Sequence, residues 1–269
     1  MRSPYLYFML IACCLLLTAP INAQTPSTKY EVGVADAEAI EGFMPPIGGF
    51  SNQFYSSARR ISLRNLMMPI RKVELGDSLW SYSLASCLEY FVNLQTNYKR
   101  NLSPSFITLS LAAEDQNLSI VGGLKFLVKT GTVESSIVPY GTQAIPSTAA
   151  DAPRFLISNF LILFSERTRS RRKVFEIRKA LQRGYPIIAE LEMPYDLYRY
   201  GFLGEGVPEF AEELTRRYNL LITGFDEDAE VVEVMSHWGR DWGEFGYAQV
   251  PYEILLKYLR EGYVLIPSN

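Results

Sequence analysis

The ten residues Trp238-Gly239-Arg240-Asp241-Trp242-Gly243-Glu244-Phe245-Gly246-Tyr247 constrain this chain more than any other stretch. Two tryptophans stand four residues apart, each followed by glycine, and a third glycine precedes Tyr247. Glycine frees the backbone for tight turns. Bulky rings beside such turns, after the apolar run Val231–Met235, read as a packed corner of a β-rich region.

The chain before this block divides into a helical part and a strand part. Gly76-Asp77-Ser78 is a turn and helix start, with Ser or Asp as N-cap. From Leu79 to about Asn93, apolar residues fall at Leu79, Trp80, Tyr82, Leu84, Leu88 and Phe91, a wide stripe that predicts a buried helix. Ser103-Pro104 opens a second helix, with Pro104 at its first position. Gly122-Gly123 opens a third, running to about Thr130 and closed by Gly131. Val174 to Arg183 is helical, and the basic run Arg167 to Lys173 before it reads as a solvated loop. Strands are predicted at 187–191, 220–225, 230–235, 247–250 and 263–266. Helices first and strands later, without βαβ alternation, argue an α+β fold of two subdomains with a cleft between them.

The remaining chain bounds where the protein works. Arg2, the apolar core Tyr5–Leu17 and the small residue Ala23 form a secretory signal over residues 1–23. Asn22-Ala23-Gln24 at its end suggests a Gram-negative bacterium. Leu10-Ile11-Ala12-Cys13 offers an alternative, a lipid anchor on Cys13, against which apolar sequence continues past the cut. The apolar core is too short for a transmembrane span. Residues 24–60, rich in Gly, Pro, Ser and Ala, read as a leader or linker, flexible or draped on the surface. Removing the signal leaves Cys87 as the one cysteine, so no internal disulfide is expected. With one histidine as well, no His/Cys metal site and no cofactor are expected. A formal charge of −3 gives no reason to expect nucleic acid as a partner.

The block from Trp238 to Tyr247 resembles the C-terminal signature of the papain-like cysteine peptidases, N-S-W-G-x-x-W-G-x-x-G-Y. Other segments are similar to that family in order and spacing. Ser78-Leu79-Trp80-Ser81-Tyr82-Ser83 with Glu89 resembles S-C-W-A-F-S…E, and Leu102 to Ile107 resembles L-S-x-x-x-L. Gly122-Gly123 resembles the paired glycines whose backbone receives a substrate. Gly131-x-Val133-Glu134 with Pro139-Tyr140 resembles G-x-V-x-E…P-Y. Leu220 to Asp226 resembles the strand that begins with the catalytic histidine. The resemblance runs from about residue 61 to the end. It implies one papain-like domain over 61–269, helical over about 61–160 and β-rich over about 161–269.

The resemblance also locates the catalytic positions, and all four are substituted. Leu79 stands where the family has its nucleophile, Tyr218 where it has the general base and Ser236 where it has the orienting Asn. Val73 falls near the position of the Gln that helps hold the oxyanion. The family's reaction needs a thiolate held beside an imidazolium, a group that orients the ring and donors for the oxyanion. Leu79 has no nucleophilic atom, and a tyrosine with an ordinary pKa of about 10 is a poor base at neutral pH.

The chain is therefore expected to be an exported pseudopeptidase that binds a peptide or protein segment without cleaving it. Gly122, Gly123, Leu79, Tyr218 and Trp238 would line its cleft. One alternative is a structural or regulatory subunit of an exported complex, with the Arg167–Lys173 stretch as a contact. Another is a hydrolase with a relocated site, drawing on Ser78, Cys87 or His237. The bland readings are a helix-start serine, a small core cysteine and a hydrogen-bonded structural histidine.

Overall fold

Strand β4 is the spine of the molecule, because eight consecutive residues of it, 218–225, are buried. A run buried on both faces needs cover on both sides of the sheet. Helices supply it. The computed structural model describes residues 34–51, 53–74, 78–114, 116, 118–205 and 215–268. Residues 1–23, where a signal was expected, with Cys13, the start of the expected leader at 24–33 and the expected Gly76-Asp77 turn lie outside these.

In chain order the elements are α1 (Ala37–Phe43), α2 (Gln53–Ser56), β1 (Arg60–Ser62), α3 (Leu79–Thr96), α4 (Pro104–Ala113) and α5 (Ile120–Lys129). Then follow β2 (Ile157–Phe164), α6 (Ser170–Gln182), β3 (Ile187–Met193), α7 (Leu197–Tyr200) and β4 (Arg216–Asp226). The chain ends with β5 (Val231–Met235), β6 (Tyr247–Pro251), α8 (Tyr252–Tyr258) and β7 (Leu259–Pro267). The strands form one antiparallel sheet in the order β2-β7-β3-β4-β5-β6, and β1 adds to β4. Helices α3, α4 and α5 pack on one another, and α3 lies against β4. This is the expected α+β arrangement.

Helix α3 is central because Trp80 through Val92 are all buried in it. Its stripe is too wide for a surface helix and lets it touch helices and sheet together. Helix α4 starts where expected, with Ser103 Oγ accepting from Phe106 N at 3.1 Å and Pro104 in the first turn. After α5, Gly131 adopts φ +73° beside the Phe155 carbonyl, which a Cβ would meet at 2.4 Å. Only glycine fits that turn.

Three expectations are corrected. The leader is neither a bare linker nor merely draped on the surface. Asp36 caps α1 through Ala39 N at 2.8 Å, and Ile40 and Met44 are fully enclosed. The Ala35 amide donates to Ile162 O at 2.7 Å, tying this segment to β2. The basic run is only partly a loop, since α6 begins at Ser170. Lys173 is buried there and donates from Nζ to Leu259 O at 2.6 Å. Strand β2 and helices α1 and α8 were not anticipated. Seven-residue helices carry too little periodicity to stand out, and β2 interrupts its alternation with buried neighbours.

Candidate functional site

The four positions marked by the resemblance, Leu79, Tyr218, Ser236 and Val73, converge at the N-terminal end of α3. Leu79 is the first residue of that helix and is half-buried. One turn on, Ser83 Oγ donates to Asn219 O at 2.9 Å, which places the start of α3 beside Tyr218 on β4. The approach to α3 is held against the loop after β5. Val73 N donates to His237 O at 2.8 Å, and Lys72 bridges to Trp238. Residues far apart in sequence, Ser83 and Asn219, Val73 and His237, Lys72 and Trp238, thus meet at one corner.

The chemistry of that corner is apolar and aromatic. The Tyr218 ring meets Trp238 edge-on with centroids 5.6 Å apart, and Trp238 meets Trp242 at 5.0 Å. Tyr218 Oη accepts from Leu197 N at 3.2 Å, and burial raises the phenol above its ordinary pKa. A neutral phenol already used as an acceptor is not poised to take a proton. Ser236 is fully buried, and its hydroxyl donates to Gly246 O at 3.2 Å, so it braces its own loop. Val73 contributes its backbone to that loop, and its side chain has no donor.

The residues considered for a relocated site do not come together. Cys87 is enclosed two turns along α3, and burial pushes its thiol well up. His237 is fully buried with its ring 5.8 Å from Tyr82, and neither ring nitrogen has a hydrogen-bond partner. Burial first, then the nearby Arg71 charge, depresses its pKa to about 3. The imidazole is therefore neutral, packed inward and not hydrogen-bonded as expected. Ser78 caps α3 by position, without a side-chain cap bond.

The glycine pair has a different role from the one its resemblance implied. Gly122 N is taken by Ser119 Oγ at 3.2 Å and Gly123 N by Ser119 O at 2.9 Å, as the first turn of α5. Those amides are not open to a peptide. Gly123 is small because α3 presses on it. A Cβ would stand 2.4 Å from Leu84 Cδ1 and 2.7 Å from Trp80 Cζ3.

Two hollows flank the corner, and neither was foreseen. Beyond Trp242 lies a cavity of about 580 Å³ bordered by Tyr198, Tyr200, Phe202 and Leu203. Tyr198 meets Trp238 at 5.8 Å and Phe202 meets Trp242 at 6.4 Å, so the tryptophans form one wall of a larger aromatic cluster. The four residues of α7 are too few to show a period in sequence. On the other side, a charged pocket of about 210 Å³ lies between the start of α5 and strands β3, β4 and β7. Among the described residues, no group of three or more His, Cys, Asp or Glu is arranged to hold a metal ion. No described helix is long and apolar enough to cross a membrane.

Comparison with known proteins agrees with this fold. The chain is 23% identical over 197 residues to a viral cathepsin of Adoxophyes honmai nucleopolyhedrovirus, covering 70% of this chain. It spans 55% of the length of that relative. Among solved structures it resembles xylellain, a cysteine protease from Xylella fastidiosa, with TM-score 0.59 and 17% identity. That match covers 89% of this chain and 96% of that one. A Carica candamarcensis cysteine protease matches with TM-score 0.60 and 16% identity, over 79% of this chain and 100% of that one. No family model matches the chain.

Proposed function

We propose, for a chain that is a relative of the papain-like cysteine peptidases and shares their fold, capture of a peptide or protein segment without cleavage. The observation that carries this reading is Leu79 at the head of α3, close to the strand on which Tyr218 stands where the resemblance puts the base. The helix terminus still points its positive dipole end at the corner. It meets an alkyl group where a thiolate would be stabilised. An apolar and aromatic wall of Leu79, Tyr218 and Trp238 suits retention of an extended segment by burial and shape. We infer export as well, from the signal-like residues 1–23, with lipidation at Cys13 as the alternative; the N-terminal sequence and mass of the mature protein separate the two.

The test is turnover of a diverse peptide library by the purified protein, read by mass spectrometry. No cleavage is expected. A Leu79→Cys, Tyr218→His, Ser236→Asn variant run in parallel shows whether the corner accepts the family's residues. Cleavage by the native protein that vanishes in a Ser78→Ala, Cys87→Ala, His237→Ala variant would overturn the reading and reveal a relocated site. A second reading, docking to an acidic exported partner, draws on Arg167, Arg169 and Arg171, which are exposed at the start of α6. Unchanged partners after charge reversal of Arg169 and Arg171 would remove that surface from consideration.

A further inference from the structure

Helix α6 carries a cluster of side chains that the corner does not use. Phe175, Arg178, Lys179 and Gln182 fall at intervals of three and four, so they share one face of the helix. Arg183 follows at its end. The leader runs opposite this face and contributes Glu41 and Phe50. Between the two lies a hollow of about 570 Å³, within the range of small-ligand pockets. None of its lining residues belongs to the corner at Leu79 and Tyr218.

Charge at the hollow runs against that of the whole chain. The chain has a formal charge of −3, whereas three cations, Arg178, Lys179 and Arg183, border the hollow with one carboxylate, Glu41. That carboxylate already behaves as a bound anion. One oxygen meets Lys179 Nζ at 2.5 Å and the other meets Arg183 Nη2 at 2.5 Å. Hydrogen bonds from Lys179, then from Arg183, hold its pKa at about 2. Yet the Glu41 side chain is 58% exposed, against 19% for Lys179 and 17% for Arg183. Arg183 is also anchored through Nη1 to Met44 O at 2.8 Å. The cations are held and the carboxylate is the movable partner. Pairs with an exposed member hold little free energy, so a better-placed anion displaces it at small cost.

Arg178 adds a guanidinium fork, a shape that matches carboxylate and phosphate. Its Nη2 donates to Glu227 at 3.0 Å, while its enclosed Nε has no hydrogen-bond partner among the described residues. The apolar part of the hollow is aromatic. The Phe175 ring is 51% exposed, with Arg172 5.4 Å and Lys179 5.8 Å from its centroid. Phe50 borders the hollow from the leader, its ring packed on Tyr55 at 4.6 Å. Rings beside cations in one pocket suit a flat apolar group that carries negative charge.

We propose that this hollow is a binding site for a small aromatic anion, a ring bearing a carboxylate or phosphate. The ring lies against Phe175 and Phe50. The anionic group takes the place of the Glu41 carboxylate on Lys179 and Arg183, with Arg178 beside it. The site is independent of capture at the corner.

Calorimetry of the purified full chain with phenylacetate, phenyl phosphate, acetate, inorganic phosphate and 2-phenylethanol tests this. Phenylacetate or phenyl phosphate is expected to bind saturably, about tenfold tighter than its ringless anion or 2-phenylethanol. The tighter of the two identifies the anionic group. Glu41→Gln is expected to tighten binding about fivefold by removing the competing carboxylate, and Arg178→Gln to weaken it by a similar factor. A general loss of structure does not produce opposite signs from two single substitutions. The proposal is overturned if neither aromatic anion binds saturably or if 2-phenylethanol binds as well. It also falls if Glu41→Gln binds no tighter or Arg178→Gln no weaker. Should Glu41→Gln fail to fold, Phe175→Ala carries the comparison, since that ring is exposed. It is expected to bring the aromatic anions down to the level of acetate and phosphate, and an unchanged affinity overturns the proposal.

Discussion

At Gly123 helix α5 has no room for a methyl group, because Leu84 and Trp80 of α3 already occupy that space. Gly123→Ala should destabilise the protein by about 1–3 kcal/mol through overpacking, read as a lower urea midpoint at unchanged slope. Two other buried residues make stability depend on pH in opposite senses. Burial raises Glu89 from 4.5 to about 7 despite its pairing with Arg71, so the folded state holds the proton more tightly than the unfolded chain. Its contribution is full below pH 4.5 and is lost as pH rises through about 7. His237 is depressed from 6.5 to about 3, so its contribution is full above pH 6.5 and is lost as pH falls toward 3. Urea midpoints from pH 4 to 8 should therefore change little between pH 4.5 and 6.5, where the two slopes oppose. Glu89→Gln should leave a curve that only rises with pH in that window, and His237→Gln one that only falls.

Among the elements, α1 shows how little a short helix announces itself. Residues 24–60 carry no sustained helical period, yet Ile40 and Met44 are enclosed. Arg183 on the turn after α6 donates to Met44 O at 2.8 Å and pairs with Glu41. Two apolar anchors on a two-turn helix suffice once a groove exists to receive them. Met44→Ala should cost about 2–5 kcal/mol in thermal or urea unfolding, as for an enclosed core side chain. A loss below 0.5 kcal/mol would mean that the segment is only draped, as composition suggested. By contrast α3 and α4 were legible in sequence because their signals are local. An 18-residue apolar stripe and a Ser-Pro start need no partner to be recognised.

For the whole molecule, the sheet binds the parts into one cooperative unit. Strand β1, at the end of the leader, pairs with β4, and α3 from the helical half packs on the same strand. Helical signal by circular dichroism and tryptophan fluorescence should therefore lose intensity in coincident transitions. The three tryptophans lie on α3 and in the loop after β5, so separate transitions would show that the two halves unfold independently.

The sequence by itself determined the fold class and the order of the main helices and strands, and its resemblance to a known family marked Leu79, Tyr218, Ser236 and Val73. The elements follow from local periodicity, and the marked positions from motif resemblance, both properties of a chain read in one dimension. Only the tertiary structure decided what surrounds those positions. The role of Gly123 depends on how closely α3 approaches, and the state of His237 depends on burial by groups distant in sequence. The hollow beside Glu190 is likewise made by elements brought together from both halves, and the one beside Trp242 by α7, the loop after β5 and β6. Shape, desolvation and unpaired charge arise between elements, so no single stretch encodes them.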